Sequence, residues 1–360
     1  MDIAKIDKNF ENTFTYEGMK LYNVNEAPFK LYGLCREEGE QDYKRLPHDF
    51  PPKVNNPVVT AVYKKTAGLR VRFKTDSARI ILKCVLPEKA NIPHMALTGS
   101  SCFDMYVDGK YYNVFRPGID ANGKYSEDKN MDGGYASGYT FNKAKKMCDI
   151  VIHFPLYNEV TDVYIGVEEG AQILPGNEYT YEKPVVFYGS SITQGACASH
   201  PGNSYIAMLA RHFDFNFVNL GFSGGCRAEL EFAKYIAGLD ISAFVLDYDH
   251  NAPSLADLEA THEVFYKEFR RLRPDVPVIM ISASDHCSGL ESRMKRREVI
   301  RKTYENAIAA GDKNVYFVDG LKAYEKVGVE YCVVDNAHPN DLGFYCIYQN
   351  AIPTFEKVFK

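Results

Sequence analysis

The residues best suited to chemistry lie in "VVFYGSSITQGACASHPGNSY", residues 185–205, where an apolar run stops at Gly189 and gives way to Ser190, Ser191 and Thr193. A serine on a tight turn between a strand and a helix can act as a nucleophile. Glycine permits the turn, and the first amides of the helix favour negative charge beside it. The same residues also read as a helix cap, since Ser and Thr are common at that position. Three later segments add partners. "VNLGFSGG" carries Gly221, Gly224 and Gly225, whose bare backbone lets amides approach a substrate. "VLDYDHNAP" ends with Asn251, a side-chain amide donor, and "VDNAHPNDLGF" holds Asp335 and His338 with two residues between them. Each segment alone is a turn. Together they set a serine, glycine amides, an asparagine amide and an Asp-His pair at successive loops.

Those loops need elements to position them. From residue 185 onward, apolar runs such as "VVFYG", "AFVLDYD" and "VPVIMISAS" alternate with segments of helical period, "SLADLEATHEVFYKEFRRLRP" and "SRMKRREVIRKTYENAIAAG". That alternation predicts a parallel α/β sheet with helices on both faces, whose ligands bind outside the C-terminal ends of the strands. Earlier the pattern is different: short alternating runs broken by Gly, Pro, Asn and Asp. In "LRVRFK", Leu69, Val71 and Phe73 point one way and Arg70, Arg72 and Lys74 the other, as in a half-buried strand. "VDGK" at 107–110 is a hairpin turn signal. These features predict an all-β sandwich or jelly roll. A chain of 360 residues also exceeds the roughly 250–300 at which single cores tend to split. The expected organisation is a sandwich domain over 1–170, a linker over 171–183 and an α/β domain over 184–360.

Composition narrows the partners. Hydrophobic residues make up 46% and charged residues 25%, as in ordinary globular domains. A net charge of −5 gives no footprint for nucleic acid. Neither a secretory pattern at the N-terminus nor an apolar run of membrane-spanning length is evident, so a cytoplasmic protein without a membrane partner is expected. The nine cysteines are scattered without Cys-x-x-Cys spacing and read as reduced, mostly buried thiols. The basic run "RMKRRE" at 293–298 reads as a solvated helix face.

Gly189-Ser190-Ser191-Ile192-Thr193, Gly224, Asn251 and Asp335-x-x-His338 match, in order, the four signature blocks of the SGNH (GDSL-type) hydrolases, in the branch with "GSSITQG". "AGLRVRFKTDS", "IPHMALTGSSCFDMY" and "FRPG" resemble the GxDLY β-sandwich that precedes such hydrolases, with Cys102 in place of the motif's glycine and Met105 in place of its leucine. The resemblance implies a parallel-sheet, flavodoxin-like SGNH domain and a serine esterase without metal or organic cofactor. In it Ser191 would attack the acyl carbon, His338 would act as general base and Asp335 would orient the imidazole. Amides of Ser191 and Gly224 and the side chain of Asn251 would form the oxyanion hole.

Rivals exist within the sequence. Asp247 and His250 form a second Asp-x-x-His, and Gly221 and Gly225 compete with Gly224. Ser190, His250 and His94 are the residues expected to touch substrate around the central set. Arg116, Asp104 and Tyr106 could reach the site from the sandwich but read more simply as strand residues. Cys197, His200 and His286 are near it by position alone. The expected substrate is a small acyl ester, acetyl above all, on a sugar or oligosaccharide. An acyltransferase using the same acyl-enzyme and a non-catalytic glycan-binding protein are the alternatives.

Overall fold

Val185 and Phe187 face one side of a parallel sheet while Val186 and Tyr188 face the other, and each pair is buried in its own apolar cluster. This period-2 alternation makes the strand the centre of the second half of the chain. The computed structural model describes residues 16–360 except 38, 286 and 288. The parallel strands are β11 (Tyr181–Gly189), β12 (Phe215–Gly221), β13 (Ala243–Asp247), β14 (Val278–Ile281) and β15 (Val315–Val318), numbered after ten earlier strands. Their order is β12-β11-β13-β14-β15. The chain therefore reverses direction across the sheet at β11, and the crevice beside its C-terminal end is where such folds bind ligands. Helices Tyr205–Phe213 and Asp341–Phe355 cover the Val185 face. Leu230–Ala237, Leu255–Leu272 and Leu290–Ala309 cover the other.

The first half forms two antiparallel sheets from β1 (Met19–Asn23), β2 (Lys30–Tyr32), β3 (Arg70–Thr75), β4 (Arg79–Val85), β5 (Phe103–Val107), β6 (Lys110–Phe115), β7 (Tyr135–Thr140), β8 (Cys148–His153), β9 (Asp162–Glu168) and β10 (Ile173–Pro175). One runs β1-β9-β4-β7 and the other β10-β3-β8-β5-β6, with β2 beside β3. Leu69, Val71 and Phe73 enter the sandwich core with Ile80, Leu82, Ile150 and Ile152. The β5–β6 hairpin turns at Asp108 and Gly109, with φ of 48° and 75°. Among the described residues no helix is long and apolar enough to cross a membrane, and the cysteines form no disulfide.

Three expectations change. The 171–183 segment is partly strand: β10 joins the sandwich and β11 has begun by Tyr181. The arginine face of β3 is not solvated. Arg70 and Arg72 are buried, because that face packs on the α/β half: Arg70 donates to Asn216 Oδ1 at 2.6 Å and lies 3.8 Å from the Phe217 ring centre. The basic run at 293–298 also turns inward. Arg293 is buried against Asp285, and Arg296 donates to the carbonyls of Asp249 at 2.6 Å and Ala252 at 3.0 Å.

Candidate active site

Strand β11 ends at Gly189, where a Cβ would lie 2.1 Å from Thr193 Oγ1 and 2.3 Å from the Asp247 carbonyl oxygen, so no side chain fits. After Ser190, Ser191–Gln194 form a short helix with a reciprocal cap. The Ile192 amide donates to Ser190 Oγ at 3.2 Å and the Ser190 amide to Thr193 Oγ1 at 3.1 Å. Thr193 Oγ1 donates in turn to Asp247 Oδ2 at 2.9 Å, which also accepts the Tyr205 hydroxyl at 2.7 Å. Burial, with the nearby Asp249 charge adding to it, pushes the Asp247 carboxyl up to about 7. The turn is thereby fixed from below, and Ser191 remains half-buried at its edge.

Ser191 Oγ lies 2.8 Å from His338 Nε2, and His338 Nδ1 lies 2.8 Å from Asp335 Oδ2. An ionised carboxylate only accepts, so Nδ1 carries the proton and Nε2 of the neutral ring is free to accept from the serine hydroxyl. Asp335 Oδ1 accepts the His338 amide at 2.8 Å and the Ala337 amide at 3.3 Å. Burial raises the Asp335 pKa, but these bonds and the imidazole outweigh it and hold the carboxyl below its usual range. The loop is tied to the nucleophile side as well: Asp341, at the start of the last helix, accepts the Ser199 amide at 2.8 Å.

Across from the imidazole, the amides of Gly221 and Gly225 are committed to Asn219 Oδ1 and the Phe222 carbonyl, both at 2.8 Å. Gly224 is exposed, with φ of 70°, a backbone shape that favours glycine. Asn251 Nδ2 donates to the Phe222 carbonyl at 3.0 Å, which pins the β12 and β13 exits together and leaves its second N–H. Arg296, through Asp249 and Ala252, holds the short turn that carries Asn251.

The sandwich half reaches this site. The His94 ring stacks on His338 with centroids 5.3 Å apart, and its Nε2 lies 3.9 Å from Asp335 Oδ2. Tyr157 donates its hydroxyl to the Ser191 carbonyl at 3.3 Å and lies 2.9 Å from Ser223 Oγ. Nothing local in "FPLYNE" marked Tyr157 as different from a strand-end tyrosine. Cys197 Sγ bonds the His94 carbonyl at 3.4 Å. The donor atoms of His94, Cys197 and His338 lie within 4.8 Å of one another, as do those of Glu40, Asp42 and His48; these sets could hold a metal ion.

Two expected substrate contacts need correction. Ser190 is fully buried and its hydroxyl is used in the cap, so it has no surface to offer a ligand. His250 gives Nε2 to Asp285 and its side chain is only 11% exposed, so it braces the site wall. It is not paired with Asp247, whose carboxylate goes to Thr193 and Tyr205. Asp104 and Tyr106 are also more than strand residues. Asp104 accepts His153 Nδ1 at 2.7 Å, His200 Nδ1 at 2.6 Å and the Gly202 amide at 2.6 Å, which joins the two halves. The Arg116 side chain donates to the adjacent Pro117 carbonyl at 3.4 Å. His286 lies outside the described residues.

Residues 182–356 match the model of the GDSL-like lipase/acylhydrolase family. Residues 19–173 match the N-terminus of SGNH-hydrolase-type esterases, GxDLY. Among solved structures, one described as a GDSL-like lipase from Bacteroides ovatus is 28% identical, with a TM-score of 0.80 over 95% of this chain and 99% of that one. A salicylyl-acyltransferase from a tetracycline biosynthetic pathway is 18% identical, with a TM-score of 0.75 over 95% and 98%. An acetyl xylan esterase from the rumen bacterium Butyrivibrio proteoclasticus is 11% identical, with a TM-score of 0.57 over 94% and 98%. No curated protein matches the chain in sequence.

Proposed function

Because residues 182–356 belong to the GDSL-like lipase/acylhydrolase family and residues 19–173 to the domain that precedes SGNH-type esterases, we propose that the chain is a serine esterase that removes a small acyl group, acetyl above all, from a sugar or oligosaccharide. The observation that carries this reading is the line Asp335–His338–Ser191, with 2.8 Å at both links. In it His338 takes the Ser191 proton as the hydroxyl adds to the acyl carbon, and Asp335 stabilises the imidazolium that forms. The amides of Ser191 and Gly224 and the free N–H of Asn251 receive the oxyanion. The proton then passes from His338 to the leaving alcohol, and water repeats the steps in reverse to free the acid. The sugar assignment draws on the fold shared with the acetyl xylan esterase.

A second reading is an acyltransferase, in which an alcohol replaces water at the acyl-enzyme. It is favoured by the salicylyl-acyltransferase, which superposes better than the acetyl xylan esterase does. The deciding experiment measures acid release from p-nitrophenyl acetate, butyrate and octanoate and from acetylated xylo- and manno-oligosaccharides, with Ser191→Ala as the blank. Acetate release that the variant lacks supports the esterase. Ester product formed only with an added alcohol supports the transferase, and turnover surviving in Ser191→Ala overturns both. Asn251→Ala should lower kcat by about 10²- to 10³-fold, the usual effect of losing one oxyanion donor, with little change in KM.

A further inference from the structure

At the seam between β3, β8 and helix Tyr205–Phe213 lies a cavity of about 120 Å³, lined by residues of both halves. That volume suits a small polyatomic ion or a few waters. Arg72 and Arg211 are in its wall. Arg72 is only 6% exposed and gives Nη2 to Asp149 Oδ2 at 3.3 Å. Its Nε and Nη1, and Nη1 of Arg211, are buried without a hydrogen-bond partner among the described residues. Buried donors of a charged group are costly to leave unpaired and are rare in native folds. Both guanidinium groups are held in place: Arg72 sits 4.3 Å from the Tyr179 ring centre and Arg211 4.3 Å from that of Tyr106, and both tyrosines line the same cavity.

The cavity is lined by several cations. Three guanidinium groups line it, those of Arg70, Arg72 and Arg211, against two carboxylates, Asp149 and Asp214. Arg70 spends its donors on neutral acceptors, the Tyr179 hydroxyl, Asn216 and the carbonyls of Gly68 and Phe217. Asp214 already accepts from Thr180 and Asp149 from Asn177. His153, the imidazole of the wall, gives Nδ1 to Asp104. A third carboxylate nearby, Asp104, is taken up by His153, His200 and the Gly202 amide, and the free donors of Arg72 and Arg211 have no acceptor among the described residues.

We propose that this cavity is a binding site for one small oxyanion, a carboxylate or phosphate-type group, held by the free donors of Arg72 and Arg211. Guanidinium groups suit both chemistries. Arg72 comes from the sandwich and Arg211 from the α/β half, so the ion would brace the two against each other. Any ligand that binds only the folded state raises its melting temperature as its concentration passes Kd.

The test follows Tm of the full chain at constant ionic strength in acetate, phosphate and sulfate, with chloride as the reference. A saturable rise beyond chloride is expected, reduced at least tenfold in apparent affinity by Arg211→Gln and by Arg72→Lys, while Ser191-dependent ester hydrolysis persists in Arg211→Gln. A rise with acetate but not phosphate assigns the site to a carboxylate, and the reverse to phosphate. Crystals soaked in selenate should show anomalous density between Arg72 and Arg211. A rise no larger than that in chloride, an equal rise in both variants, or only water in the soaked cavity overturns the proposal.

Discussion

Asp335 and Asp104 each hold a histidine Nδ1 at 2.7–2.8 Å, but of these two pairs it is Asp335–His338 that faces a serine hydroxyl. The Asp335 side chain is 35% exposed and that of His338 21%, and the second nitrogen of His338 meets Ser191 Oγ. Asp104 is fully buried and divides its oxygens among two imidazoles and the Gly202 amide. Burial raises its pKa, yet the His153 and His200 imidazoles outweigh that and hold the carboxyl well below the usual range. An Asp-His contact therefore does not by itself make a catalytic pair. What counts is whether the far imidazole nitrogen reaches a hydroxyl at a surface that substrate can enter. In the proposed reaction the first arrangement moves protons; the second clamps the sandwich to the loop before helix Tyr205–Phe213.

The widest separation between the two sites should come from Ser191→Ala and His338→Ala. Each should lower kcat/KM by about 10⁴-fold or more with Tm nearly unchanged, because these groups act as one unit in the reaction and contribute little to packing. Asp104→Asn should do the opposite. Removing one partner of a buried ionic cluster costs about 3–5 kcal/mol, a fall in Tm of roughly 10 °C for a domain of this size. Activity well below the new transition should stay within a few-fold. Loss of turnover in Asp104→Asn at unchanged Tm would break the comparison.

A third carboxylate sharpens it. Asp247 is also buried, but its partners are two hydroxyls, which lower its pKa less than burial and the neighbouring Asp249 charge raise it, and it reaches about 7. The unfolded value is near 3.9. Between these values the folded state holds the proton and the unfolded state does not, so this residue's contribution falls as pH rises from about 4 to about 7 and is flat beyond. Asp247→Asn keeps an acceptor for Thr193 and Tyr205 and removes the titration. Its Tm should gain on the wild type by a few degrees across that window, and parallel Tm curves for the two proteins would refute the assignment.

The sequence carried unequal shares of this picture. Ser191, Gly224, Asn251, Asp335 and His338 stand out because each follows the end of a β-strand or precedes a helix, where local turn chemistry leaves a readable motif. The sandwich strands were legible from period-2 alternation, which inward side chains such as Leu69, Val71 and Phe73 impose on any sheet with a core. The same rule misplaced Arg70 and Arg72. Alternation tells which residues share a face but not whether that face meets water or another domain. Arg293 and Arg296 failed for a related reason: a basic helix face looks solvated until Asp285 and the carbonyls of the β13 exit are known to lie beneath it. Tyr157 and the Asp104 cluster depend on segments far apart in sequence that meet only in the fold.

The smallest expected effect concerns a side chain of the sandwich that touches the His338 imidazole. His94 stacks on His338 at 5.3 Å and makes no hydrogen bond to Ser191 or His338. If the sandwich only braces the site, His94→Ala should leave kcat unchanged. The stacking says otherwise, because the ring limits how far His338 can turn away from Ser191. Ring pairs contribute about 0.5–1.5 kcal/mol, so the variant should lose about 2- to 10-fold in kcat, with His94→Phe recovering most of it. A loss confined to KM would instead make His94 a substrate contact, and no loss at all would return the sandwich to a purely structural role at the site. Because Phe keeps the stacking and drops the ring nitrogens, that variant also separates ring packing from any proton role of His94 beside Asp335.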